Sequence, residues 1–156
     1  MPSAIPRDAA VDLPPARMID PRGHRFGAAV SAIILVASAV GGQPAGVLFV
    51  LLTIGASAAF GMRWSIYGAI WRRIVAVLHL PPVEPEHEYP PRFAQTLGSI
   101  ALLAALVAFG FGATAVGWVF ALAVAALQGL LALTGYCLGC RLYFLRWWLP
   151  GLVTRL

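Results

Sequence analysis

The chain has no lysine, little charge of either sign and only two cysteines, and each shortage narrows what it can be. Charged residues make up 11% of the sequence, against about 25% in a soluble domain. Apolar residues reach 60%, and mean hydropathy is +0.84. Such a chain cannot cover itself with polar surface in water, so a lipid bilayer is its expected partner and solvent. All eleven basic residues are arginine, and the net charge is +5. The arginines flank apolar segments and form no stripe on a soluble element. Anionic lipid headgroups therefore account for them, and nucleic acid is not expected as a partner. No ionisable residue lies inside an apolar run, which argues against a proton-coupled pump.

What is abundant is apolar sequence, in four runs: residues 27–40, 44–61, 93–112 and 114–135. A crossing of ~30 Å of hydrocarbon takes about 20 apolar residues. The last three runs approach or reach that length. The first is marginal, even extended to about 26–41. Backbone groups in lipid must be satisfied within their own segment, so the runs are expected to be helices.

Charge placement then selects the number of crossings. Arg7, Arg17, Arg22 and Arg25 precede the first run; Arg63, Arg72, Arg73 and Arg92 lie between the second and third; Arg141, Arg146 and Arg155 follow the fourth. The turns at 41–43 and near Ala113 carry no charge. Four crossings put every arginine on one side, whereas an odd number splits them. The positive-inside rule makes that side cytoplasmic, with both termini, in a bacterial inner membrane. A rival reading treats residues 1–39 as a cleaved signal peptide ending in "ASA". Its long leader with Asp8, Asp12 and Asp20 fits an n-region poorly.

The expected fold is therefore an all-α integral membrane protein: a four-helix transmembrane bundle, an interfacial amphipathic helix and a short C-terminal helix. Trp64, Tyr67, Trp71, Ile74 and Leu78 share one helical face, so residues 63–79 read as an in-plane helix at the headgroups. Residues 80–92, with five prolines between 80 and 93, read as a stiff extended linker. Residues 1–22 read as a disordered or surface-draped tail, and 150–156 as a C-terminal tail. Small residues recur at four-residue steps (Gly55 and Ala59; Ala121, Ala125 and Gly129), which lets helices, including those of a homo-oligomer, approach closely. Gln128, the most polar deep residue, is expected to hydrogen-bond between helices.

The cysteines, Cys137 and Cys140, form a Cys-x-x-Cys pair. A fourth span from 114 to 135 rises ~33 Å, so the pair emerges at the headgroup level. Either the helix continues and both thiols lie near its C-terminal region, or Gly135 caps it and Cys137 opens a new short helix over 138–149. Only the second favours a thiolate, aided by Arg141. Phe144, Trp147 and Trp148 read as an interfacial anchor.

Four roles for the pair are open. The cysteines can be small packing residues. They can be zinc ligands, but zinc takes four, and nothing pairs His24, His79, His87 or the linker glutamates at ligand spacing, so no metal and no cofactor is implied. They can form a permanent disulfide, which a reducing cytoplasm disfavours. Or they can do thiol chemistry, by disulfide exchange or persulfide carriage. Any thioredoxin-like domain must then be a partner, because this chain has no βαβ context. The stretch "EPEHEY" (84–89) reads as solvated linker.

"DPRGHRFGAAVSAIILV" (20–36), "PPRFAQTLG" (90–98) and "GYCLGCRLYFL" (135–145) together resemble a family of small bacterial inner-membrane proteins, the domain of unknown function 4395, over roughly residues 19–148. Its most specific element is the Gly-x-Cys-x-Gly-Cys segment. The resemblance brings no established activity. It implies a setting, since members tend to be encoded near thioredoxin-like proteins and thiosulfate sulfurtransferases. It implies Cys137 and Cys140 as the functional pair, and Asp20, Arg22, Arg25, Arg92 and Phe93 as motif positions of unassigned role. Four spans with a terminal Cys-x-x-Cys are also similar to quinone-linked disulfide-forming membrane enzymes, but those work on the outer face with additional cysteines.

The expected function is a membrane thiol-disulfide oxidoreductase or sulfur relay with a cytoplasmic thioredoxin-like protein or sulfurtransferase as partner. Cys137 attacks and Cys140 resolves, while Arg141, Arg22 and Arg25 support a thiolate or an anionic sulfur donor. The alternatives are a non-enzymatic scaffold that docks sulfur enzymes through the in-plane helix and linker, and a small sulfur-anion transporter component.

Overall fold

The computed structural model describes residues 18–143. Its helices are α1 (Pro21–Gly41), α2 (Ala45–Phe60), α3 (Ile66–Leu78), α4 (Tyr89–Gly110) and α5 (Thr114–Thr134), followed by a helical stretch, α6, from 138 to the last described residue, 143. A 3-10 turn, Met62–Trp64, joins α2 to α3. The only strands among the described residues are β1 (Met18–Ile19) and β2 (Glu86–His87), paired antiparallel.

Three helices, α1, α4 and α5, are long and apolar enough to cross a membrane, and less than a third of each apolar window is buried inside the protein. The rest faces outward, with Phe111 (86% exposed), Leu133 and Val40 among the most exposed. In water that surface would drive aggregation; in hydrocarbon it is the solvated face. The chain is a membrane protein. The core is built from Leu35, Val47, Val50, Ile54, Leu102, Ala105, Ala121 and Val124. Around it α1 packs on α2 and α5, and α4 packs on α2 and α5, while α3 packs on α1. The small residues Ala121 and Ala125 are buried in this core.

The boundaries differ from the sequence reading, each for a local reason. The helix of the first run begins at Pro21, well before the apolar stretch. Asp20 caps it by accepting from the Arg22 backbone N–H at 2.8 Å, and Pro21 occupies the first turn, where a missing N–H costs nothing. Residues 18–22 are therefore ordered in β1 and α1 rather than part of a loose tail; residues 1–17 and 144–156, with Phe144, Trp147 and Trp148, lie outside the described residues. The second run gives the shorter helix, 16 residues, because the chain turns at Gly61 with φ +94°. The linker ends early as well: α4 starts at Tyr89 with Pro90 and Pro91 in its first turn. Prolines there open a helix rather than prevent one.

The amphipathic face splits. Ser65 caps α3, accepting from the Gly68 N–H at 3.2 Å, so Trp64 falls outside the helix and is exposed. Tyr67 is buried, its hydroxyl 3.2 Å from that of Thr53. Trp71 packs against the Phe26 ring at 5.5 Å, tilted, and donates from Nε1 to Asp20 Oδ2 at 3.1 Å.

Asp20 thus holds α3 to the start of α1. Burial alone would raise its carboxyl's pKa, but hydrogen bonds from Arg22 and Trp71 outweigh burial and hold it below its ordinary value of 3.8. A depressed folded pKa means that the carboxylate's stabilisation is present above pH ~3.8 and lost as pH falls through the folded value. Asp20→Asn is expected to lower stability in detergent at pH 7 by on the order of 1 kcal/mol. The gap to wild type should close below pH ~3.8, measured by thermal unfolding as a function of pH.

Candidate functional site

Two arginines fasten the helix ends that frame the site. Arg25, at the start of α1, donates to the free carbonyls at the end of α5: Nη2 to Ala132 O at 3.0 Å and to Leu133 O at 3.3 Å, and Nε to Ala132 O at 3.3 Å. Arg92, at the start of α4, does the same for α2, donating to Ala58 O at 3.0 Å. A cation on the last carbonyls of a helix satisfies orphan acceptors and complements the dipole. These clasps bring the starts of α1 and α4 and the ends of α2 and α5 to one end of the molecule. The described arginines all lie there, and the uncharged turns at 42–44 and 111–113 lie at the other.

At the arginine-bearing end α5 stops at Gly135, which takes the left-handed conformation (φ +74°) and donates its N–H to Leu131 O. Of the two courses open to the chain, it takes the second: a new helical stretch begins at 138. Cys137 immediately precedes it and acts as its cap, its Sγ accepting the Cys140 N–H at 3.1 Å. Cys137 and Cys140 are joined by a disulfide, with Cα atoms 5.2 Å apart, and both are half-buried. The turn is pinned from below. Gly139 lies so close to α4 that a Cβ there would fall 2.7 Å from Ala94 Cβ, and the Phe93 ring packs tilted against Tyr143 with centroids 5.8 Å apart.

The disulfide lines an open pocket of about 1010 Å³ walled by Arg22, His24, Arg25, Glu84, Glu86, His87 and Arg141, among others. All five sequence candidates (Cys137, Cys140, Arg141, Arg22 and Arg25) therefore meet in one place. Their charges are not equally free. Arg22 pairs with Asp20 at 3.2 Å and donates to Pro81 O at 2.9 Å. Arg25 is committed to α5. Arg141 lies 5.0 Å over the Tyr136 ring and is the most available of the three. The stretch read as solvated linker is exposed over 84–87 and also walls the open pocket, where Glu86 and His87 pair with Ile19 and Met18.

The residue that sequence spacing did not bring forward is His24. A ring nitrogen of His24 and the sulfurs of Cys137 and Cys140 all lie within 4.8 Å of one another, and His24 Nε2 is buried with no hydrogen-bond partner. His24 also lines an inner cavity of about 240 Å³, together with Ser31, Gln95, Gln128 and Tyr67. Ser31 Oγ and Gln95 Oε1 are likewise buried without partners. Gln128, expected to bond between helices, faces this cavity.

The family model for a domain of unknown function (DUF4395) matches residues 19–147. The chain belongs to this family. No curated protein and no solved structure matches it. Several of the residues on which the sequence resemblance rests have structural work here. Asp20 caps α1, Arg25 and Arg92 clasp helix ends, and Phe93 supports the turn that carries the cysteines. Gly135 and Gly139 of the Gly-x-Cys-x-Gly-Cys segment set its backbone, leaving the two sulfurs at the pocket surface.

Proposed function

We infer that this protein is a membrane thiol-disulfide relay whose Cys137–Cys140 pair exchanges with a soluble thioredoxin-like or sulfurtransferase partner on the cytoplasmic side. The observation that carries the reading is the placement of the disulfide: in an open pocket, with Cys137 capping a helix. That position favours sulfur as a thiolate and as a leaving group. In the exchange, the Cys137 thiolate attacks one sulfur of a partner disulfide, forming a mixed disulfide and releasing the partner's other thiolate. The Cys140 thiolate then attacks Cys137 Sγ, closing the intramolecular bond and releasing the partner's second thiolate. Two electrons pass to the partner. The reverse sequence returns them, and relative reduction potentials set the direction.

Four crossings support the cytoplasmic placement. The uncharged end of α1 and the arginine-bearing start of α4 lie at opposite ends, and α2 packs along both helices between them. At ~24 Å, α2 spans with local thinning of the bilayer. With every described arginine at one end, the positive-inside rule makes that end cytoplasmic in a bacterial inner membrane. In that compartment a disulfide is transient and catalytic rather than a permanent staple.

Cys140→Ser removes the resolving thiol and is expected to accumulate a dithiothreitol-sensitive mixed disulfide between Cys137 and a cytoplasmic thiol protein. Cys137→Ser should accumulate none. Equal capture by both variants, or by neither, would count against the relay.

A further inference from the structure

Reduction of the disulfide leaves two thiols beside an imidazole that has an unused buried nitrogen. We propose that reduced Cys137 and Cys140, together with His24, form a binding site for one thiophilic d10 cation, Zn²⁺ or Cu⁺. This goes beyond the thiol relay and does not depend on it.

The donor set is one ring nitrogen and two sulfurs within 4.8 Å of one another. A cation at their centre needs donors at about 2.0 Å for nitrogen and about 2.3 Å for sulfur, which small side-chain rotations reach once the sulfur–sulfur bond is gone. His24 is fixed in the first turns of α1, while the sulfurs sit on the turn after α5, and the Arg25 clasp ties these elements together. The site is therefore preorganised by the fold rather than by ligand spacing. Soft thiolates with one imidazole select zinc or copper(I) over magnesium or calcium. Charge also fits: two thiolates neutralise Zn²⁺, and with Cu⁺ they leave one negative charge in a pocket walled by Arg22, Arg25 and Arg141. Buried His24 Nε2, without a partner, is the kind of polar atom that a folded protein seldom leaves unused. The open pocket gives an entry path and room for a water as fourth ligand on zinc.

The test uses the full-length protein in detergent, reduced anaerobically with a phosphine that is then removed, and titrated with Zn²⁺ or Cu⁺ alone against a chromophoric chelator. Wild type is expected to take one equivalent of one of the two cations, and the oxidised protein none. His24→Gln should bind at least about tenfold more weakly, since loss of even an outer-shell partner of a metal ligand costs about that much. X-ray absorption on loaded wild type, which does not depend on how the variant folds, should show an imidazole nitrogen with two sulfurs. A fourth light atom assigns zinc, and a three-donor shell assigns copper(I). No uptake by the reduced protein, unchanged affinity in His24→Gln, or a shell without imidazole would overturn the proposal.

Discussion

Cys137 is expected to alkylate at least about tenfold faster than Cys140 at neutral pH, when each is the sole cysteine. Two features separate the sulfurs. Cys137 Sγ caps the helical stretch that begins at 138, where unpaired N–H groups favour negative charge. It also accepts the Cys140 N–H at 3.1 Å, a bond that strengthens when the acceptor is a thiolate. Cys140 lies inside that stretch, and among the described residues no donor to its Sγ is found. Arg141, over the Tyr136 ring, is a cation neighbouring both and does not separate them. Tenfold corresponds to about 1.4 kcal/mol of differential thiolate stabilisation. Iodoacetamide rates for Cys140→Ser and Cys137→Ser as a function of pH measure the difference. Equal rates would mean that the helical start does not bias the pair.

Gly139→Val is expected to detach the disulfide turn from α4 and to make the bond reducible several-fold faster. A Cβ at Gly139 meets Ala94 Cβ at 2.7 Å and Ala94 Cα at 3.0 Å. The obstruction is a short side chain and backbone, which cannot swing aside. Forcing atoms into such a contact costs about 1–3 kcal/mol. The relief comes from lifting residues 137–143, which also breaks the Phe93–Tyr143 contact. Gly139→Ala should show a smaller effect, and Ala94→Gly should partly rescue it, since the nearer of the two opposing atoms is then gone. A double-mutant cycle on dithiothreitol reduction rates reads the coupling between positions 94 and 139. Additive effects would show that the two residues do not touch.

Much of this molecule could be read from the chain itself. Hydropathy and charge placement marked the apolar helices, because lipid leaves the backbone no other option, and the cysteines were placed at a helix end by length alone. What hydropathy does not record is where capping chemistry overrides it. Asp20 and Pro21 start α1 inside a polar stretch, ahead of its apolar run, while Gly61 ends α2 where its run ends, so the run that looks short forms the longer helix. The course of the chain after Gly135 was one of two alternatives, and the left-handed glycine decided it. The roles of Arg25 and Arg92 depend on carbonyls at the far end of other helices, which no local pattern exposes. His24 could be named as a candidate ligand but not paired with the cysteines, for the same reason: it lies far from them in sequence and is brought to them only by the packing of α1 on α5.

Sidedness is the claim on which the cytoplasmic relay rests, and cysteine labelling tests it most directly. Intact cells are treated with membrane-permeant dithiothreitol, washed, and exposed to an impermeant maleimide, with permeabilised cells in parallel. Cys137 and Cys140 should remain unmodified in the intact cells and be tagged after permeabilisation. Modification of either residue in intact cells would put the pocket on the outer face and contradict the account.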